Sequence, residues 1–288
     1  MPNTPQGPNH ATNFKMSTEN FVLSADSVTA EKPVLETITL GMRNFFVSDK
    51  SLKVRTLGHE QTFTIQLDAI NDVDLFHINN TNFLPDTAFR ITAYRGAALI
   101  YDSGEVEYTQ ILPLGDYGVY WGFARLGDDP YVSSISSKDV TIILNTPITI
   151  DKIVIEIVSP TADSIDVSKI LISKLFTPFY NIAYGASLQW ENTNSIMRVA
   201  SGGAHVSRKY SLRIINVELQ LLHDYERDIV SRILGQYAGL PVFITCYPGV
   251  GGLREKEYSG IFVISNKPSM IHQHYAYYAA QSLVFEEM

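Results

Sequence analysis

The chain has 288 residues, enough for two domains with separate cores. Charged residues make up only 18%, below the quarter usual in soluble domains, and Thr, Ser, Asn, Tyr and Phe are abundant, a composition that suits sheets better than helices. A net charge of −8 excludes tight gripping of nucleic acid, which needs Lys and Arg against phosphate, and the single cysteine, Cys246, excludes an internal disulfide.

Residues 1–18 hold three prolines and few large apolar groups, and read as an extended arm that would lie along a neighbour in an assembly. The opening Met1 to Pro8 has no basic stretch followed by an apolar one, so no signal peptide is expected. No apolar run approaches about 18 residues, so no membrane insertion is expected either.

From 19 to 176 the pattern is short strands and turns. Thr62 to Leu67 alternates with Phe63, Ile65 and Leu67 on one face, and Phe89 to Tyr94 alternates again before Gly96 breaks it. Ala97 to Tyr101 runs into the turn signal Asp102-Ser-Gly104. Lys152 to Val158 is nearly solid Ile and Val, as a central strand buried on both faces would be. Lys169 to Leu175 is the last strand before Pro178. Strands at this spacing, without helix patterns between them, predict a jelly-roll β-sandwich.

From 177 to 288 the pattern changes. Lys209 to Leu222 predicts a long strand whose apolar phase slips between Ile214 and Ile215, which implies a bulge or bend. A helix follows, with Asp224 as its N-cap and Ile229, Val230, Ile233, Leu234 and Tyr237 as its apolar stripe, stopped by Gly239 and Pro241. Strands are predicted at 241–247, 258–266 and 275–285. The fold class is therefore mainly β: an N-terminal sandwich, then a small β-barrel domain with one α-helix.

Sites of chemistry are sparse. Cys246 lies in an apolar run and reads as a small buried hydrophobe. His272 and His274 share a strand face but lack the further ligands a metal needs, and Asp72 and Asp74 read as a solvated turn without the Gly and Glu of a calcium loop. No metal or cofactor is expected, and no catalytic residue is assigned. The best ligand candidate is the aromatic run from Tyr117 to Arg125, where Tyr120, Trp121 and Arg125 would present ring faces and a guanidinium to a glycan. The competing role for Trp121 and Phe123 is to plug the sandwich. Arg198, Arg208, Lys209 and Arg213 form a basic cluster with two readings, an interface to acidic neighbours in a ring or solvated strand ends.

The C-terminal hundred residues resemble the core domain of the bacteriophage distal tail protein family and the related minor tail protein of the lambda tail tip. The residues that carry this are Arg208 to Arg213, Tyr225 to Asp228, Gly239 to Thr245 with Tyr247-Pro-Gly249, and Ser282 to Glu286. Thr62 to Asp68, His77 to Asn80, Phe89 to Thr92 and Ile100 to Gly104 similarly resemble a galactose-binding-like jelly roll of phage tail proteins. The resemblance implies a non-enzymatic, virion-borne structural protein of a tail tip or baseplate, made in the host cytoplasm. It implies a ring, by analogy a hexamer, with other tail proteins as partners and a carbohydrate-binding outer module that touches a host surface glycan. A free carbohydrate-binding protein is the alternative, and a depolymerase is a third class, which would need paired carboxylates in a cleft.

Overall fold

The computed structural model describes residues 13–37, 39–47, 52–79, 81–84, 86–107, 139–183, 186–192, 195–198, 204–207, 211–236, 239–249, 255, 257–264, 269–273 and 277–287. In the first half these form β1 (Lys15–Ser17), β2 (Ser27–Ala30), a 3-10 turn (Met42–Phe46), β3 (Val54–Leu57), β4 (Glu60–Asn79), β5 (Ala88–Arg95), β6 (Ala98–Asp102), β7 (Val106–Glu107), β8 (Val140–Val158), β9 (Ser164–Val167), β10 (Lys169–Ser173) and β11 (Leu175–Phe176). The second half forms β12 (Ser187–Asn192), β13 (Ser195–Arg198), β14 (Ala204–Ser207), β15 (Ser211–Leu222), helix α1 (Asp224–Gln236), β16 (Val242–Thr245), β17 (Ser259–Ile264), β18 (Ser269–Gln273) and β19 (Tyr277–Glu287).

The chain is mainly β, and every ladder is antiparallel. One sheet has the order β10-β4-β8-β5-β6, with β2 also paired to β4 and β7 to β5. Its inner face carries Phe63, Ile65, Ile91, Ile153 and Ile155, all at most 1% exposed. The two-stranded sheet β3-β9 and the 3-10 turn close over this core through Val54, Ile165, Val167 and Phe45, which makes a sandwich. Period-two alternation explains the arrangement, because one half of each strand's side chains must leave water.

Two local expectations change. The strand ending at Val158 is central, lying between β4 and β5, but of its residues 152–158 Ile153, Ile155 and Ile157 face the core while Val158 is exposed. β10 is the strand buried on both faces, because a second layer covers it. The turn at Gly96 is as expected: its φ of +59° is the left-handed conformation that glycine tolerates, and Arg95 pairs with Ala98 across it.

The second large sheet has the order β11-β1-β16-β17-β19-β15-β12, with β18 on β19. It encloses its own cluster, to which α1 contributes Val230 and Ile233. Ile229 and Leu234 pack at the margin of that cluster, and Tyr237 lies outside the described residues. The slip in β15 is real but sits nearer its end. Arg213, Ile215, Val217 and Leu219 point inward in one phase, then exposed Leu221 takes a φ of +57° and Leu222 turns in. Gly239 follows the helix at a φ of +81°, as a stop signal requires.

Residues 13–17 correct the sequence reading. They are not part of a free arm, and residues 1–12 lie outside the described residues. β1 runs between β11 and β16, pairing Met16 with both Phe176 and Ile244, and Phe14 and Met16 are fully buried. A Pro-rich composition upstream masked a short apolar strand whose partners lie far along the chain. A third cluster, Leu75, Leu171, Leu175, Phe243 and Ile261, joins the two sheets. Phe243 and Ile261 project from the face of β16 and β17 opposite to Val242 and Phe262, so one strand pair serves both the second core and the seam.

Since β1 is a core strand, Phe14→Ala is expected to destabilise the protein by about 3–5 kcal/mol, read as a shift in the urea midpoint. A free arm would tolerate the change with no shift.

Candidate functional site

The sequence-predicted sites divide sharply. Tyr120, Trp121 and Arg125 lie outside the described residues, as do Arg208 and Lys209. Arg198 ends β13, whose backbone pairs with β14. Arg213 is committed within the chain, where an exposed strand end was expected. It is 6% exposed, and its Nε and Nη2 donate to the two carboxylate oxygens of Glu287 at 3.0 and 2.9 Å. Its Nη1 donates to the carbonyls of Glu257 and Ser259, and the guanidinium lies 5.3 Å from the Phe262 ring centre. Gly260 makes room for it: a Cβ there would meet Nη2 at 3.1 Å. Arg213 thus clamps β15, β17 and the end of β19 together inside the protein.

Other ionisable groups are also committed to structure. Arg55 pairs with Asp166 through two bonds of 2.6 and 2.7 Å that tie β3 to β9. Arg90 binds Asp102 in the same forked way, which holds that carboxyl down to about 2. The Cys246 thiol is buried and pushed up to about 12, so it is no nucleophile at neutral pH. Among the described residues no three His, Cys, Asp or Glu side chains converge as metal ligands.

Asp72 and Asp74 are not a solvated turn. Both belong to β4, at its irregular pairing with β8. Asp72 accepts from Thr149 and from Lys174, which lowers its carboxyl below the ordinary range. Asp74 is 9% exposed and accepts the Leu175 amide at 2.6 Å, beside the seam. Burial pushes it up to about 6 against the opposing pull of that amide, Lys15 and Lys174. Close by, His77 is buried with its Nδ1 2.8 Å from Thr141 Oγ1 and its ring 5.0 Å from Phe243. Burial lowers its pKa, with Asp139 as the counteracting charge. Asp74 and His77 are thus buried beside the seam, while Asp72 and Lys174 are about half exposed.

The exposed chemistry lies elsewhere, where the chain enters α1. Phe179, Tyr180, His223 and Tyr225 form one aromatic cluster. Centroids of Tyr180 and His223, and of His223 and Tyr225, are each 6.0 Å apart. The His223 and Tyr225 planes lie within 9° of parallel. Phe179 stands edge-on behind, 5.0 Å from Tyr180 and 5.6 Å from His223. Tyr225 is 61% exposed and Tyr180 41%, so ring surface faces solvent.

Glu226 fixes this cluster. It is 1% exposed, and its carboxylate accepts the Phe179 amide at 2.6 Å and the His223 amide at 2.8 Å. The second bond is half of a capping box, in which a third-position Glu satisfies the N-cap amide. The N-cap is therefore His223, which corrects the assignment of that role to Asp224; Asp224 is the first helical residue. Asn13 and Asn181 complete the frame. Asn13 Nδ2 donates to the Pro178 carbonyl at 3.2 Å, and Asn181 Oδ1 accepts the Phe14 amide at 2.9 Å. Four anchors from three parts of the chain therefore hold the rings. The sequence signal for this was present in Tyr225-Glu226 near the helix start, but nothing local in the sequence ties Phe179 and Tyr180 to it.

No family model matches the chain, and no curated protein matches it. Solved structures that align with it include carbohydrate-binding modules and also a Ruminococcus gnavus GH29 fucosidase in complex with fucose, at 11% identity and a TM-score of 0.37 over 54% of this chain and 26% of that one. The module CpGH89CBM32-5 from Clostridium perfringens, in complex with GalNAc-β-1,3-galactose, aligns at 10% identity and a TM-score of 0.39, over 54% of this chain and 100% of that one. The family 32 module of NanJ from the same organism, in complex with galactose, aligns at 12% identity and a TM-score of 0.37, over 55% and 99%. The family 32 module of EndoD from Streptococcus pneumoniae aligns at 13% identity and a TM-score of 0.38, over 54% and 99%. These low scores transfer no site residues to this chain.

Asp74 supplies a pH signature. Its folded pKa of about 6 stands above the unfolded value of 3.8, so its contribution to stability is full below about pH 4 and is lost as pH rises through about 6. Asp74→Asn should match the parent at pH 4 and exceed it by up to about 3 kcal/mol at pH 8. Urea melts at the two pH values read the difference directly.

Proposed function

We propose that this chain is a non-catalytic carbohydrate-binding protein. The observation that carries the reading is the solvent-facing, rigidly framed aromatic surface of Tyr180, His223 and Tyr225. Rings fixed in place before a ligand arrives lose little freedom on binding, and sugars present apolar C–H faces that stack on them. The non-catalytic part of the reading is supported by the buried charges, because Arg213, Asp166 and Glu226 are all engaged in holding elements together.

Binding to a panel of immobilised glycans tests the reading. Galactose and GalNAc-β-1,3-galactose are the first probes, since these sugars are named with the similar modules. Retention of at least one glycan, with the glycan recovered uncleaved by mass spectrometry, is expected. Failure to retain any glycan overturns the binding, and cleavage overturns the non-catalytic assignment.

A second reading is the ring component of a phage tail tip. It is favoured by the long strand β15 running into α1 and then into returning strands, as in the distal tail core that the sequence resembles, although four strands, β16 to β19, follow the helix here and not three. On this reading the chain closes into a cyclic homo-oligomer, which leaves no unsatisfied contact surface at its ends. It would sit in the virion at the tail tip with other tail proteins, and its net charge of −8 would let DNA pass without tight binding. Native mass measurement of the purified chain is expected to give a hexamer. A monomer at tens of micromolar leaves the free carbohydrate-binding protein as the description.

A further inference from the structure

We propose that the terrace of Tyr180, His223 and Tyr225, in the second half of the chain, is a binding site for an uncharged pyranose. The inference rests on the carbohydrate-binding reading and assigns it to particular residues and one class of sugar.

Ring geometry selects the shape of the ligand. A cage for a quaternary ammonium needs aromatic faces turned toward one point. Here His223 and Tyr225 are stacked, 9° from parallel, and Tyr180 is tilted from His223 by 34°, so the rings do not turn toward one point but form a shallow step whose outer members, Tyr180 and Tyr225, are exposed. A step of this kind matches a ligand with one flat apolar face. A pyranose has such a face and a rim of hydroxyls around it.

Charge selects among flat ligands. Residues 224–228 hold three acids, Asp224, Glu226 and Asp228, against one Arg227, and Arg227 is bonded to Asp228. Asp224, between the two parallel rings in sequence, is exposed and can accept hydroxyl hydrogens from the rim. The same carboxylate repels a sugar that carries its own carboxylate. Nucleic acid bases also stack on aromatic rings, but their phosphates need the basic groove that this acidic turn lacks.

Glu226 makes the site rigid. One carboxylate holds the amide before Tyr180 and the amide of His223, so the two segments that supply the rings cannot separate without losing a buried acceptor's partners. The exposed rings contribute little to the core. Removing one should therefore change binding and leave folding intact.

The test is saturation-transfer NMR on the full chain with millimolar lactose, cellobiose, maltose and chitobiose, and with sialylated lactose as the charged counterpart. At least one uncharged disaccharide is expected to bind, and Tyr225→Ala and Tyr180→Ala should each weaken it by about tenfold with unchanged melting temperature. Trp190→Ala, at a ring 41% exposed on β12, should leave binding unchanged. If an uncharged sugar binds parent and both tyrosine variants alike, the terrace assignment falls while the carbohydrate reading stands. If sialylated lactose binds as well as lactose, the selection for an uncharged sugar falls. If none of the sugars binds the parent chain while the immobilised panel retains it, the terrace assignment falls and the carbohydrate reading stands; if the panel is negative too, both fall.

Discussion

The structure depends on the seam in which Leu75, Leu171 and Leu175 of the first half meet Phe243 and Ile261 of the second. Strands β16 and β17 have an apolar residue on each face, so they cannot be solvated on either side without exposing Phe, Ile or Val. The first sheet covers one face and the second core covers the other. β1 then locks the arrangement from the side, because its two ladders join β11 to β16. The Phe243 amide donates to Ser17 Oγ at 2.9 Å across 226 residues of sequence, in a buried bond that water cannot replace.

Polar groups at this seam are costly, and the structure satisfies most of them with specific partners. Asp74 accepts the Leu175 amide just where β10 gives way to β11, so a carboxylate serves as a backbone hydrogen-bond partner where the ladder ends. Burial there disfavours its charge, which makes the junction responsive to pH near neutrality. Burial likewise lowers the pKa of His77, against the pull of Asp139. Arg213 shows the opposite solution. Glu287, two carbonyls and an aromatic face surround its buried guanidinium.

Rigidity at the seam reaches the exposed rings through the chain itself. Phe14 is buried in the second core, and its amide is held by Asn181, next to Tyr180. On the other side, Glu226 links the same segment to the helix. A surface presented in this way is fixed by core packing, although its rings contribute little to the core. Those rings can therefore be altered without disturbing the core.

Local period was legible in the sequence. Phe63, Ile65 and Leu67 alternate, and they are buried on one face; Val230 and Ile233 recur at helical spacing, and they face the core. Mainly β character, the helix after the long strand, the turn at Gly96 and the inert Cys246 follow from such short-range signals, because the period of a strand or helix is set by its own backbone. Tertiary structure decided what depends on partners distant in sequence. Lys15 to Ser17 became a strand only because β11 and β16 lie beside it, and Asn13 reaches Pro178 across 165 residues. Arg213 became a buried clamp because Glu287 returns to it across 74 residues, and Glu226 became an anchor because the Phe179 amide, 47 residues earlier, arrives at its carboxylate. A charged side chain looks the same in sequence whether it meets water or a buried partner, and only the folded chain brings that partner to it.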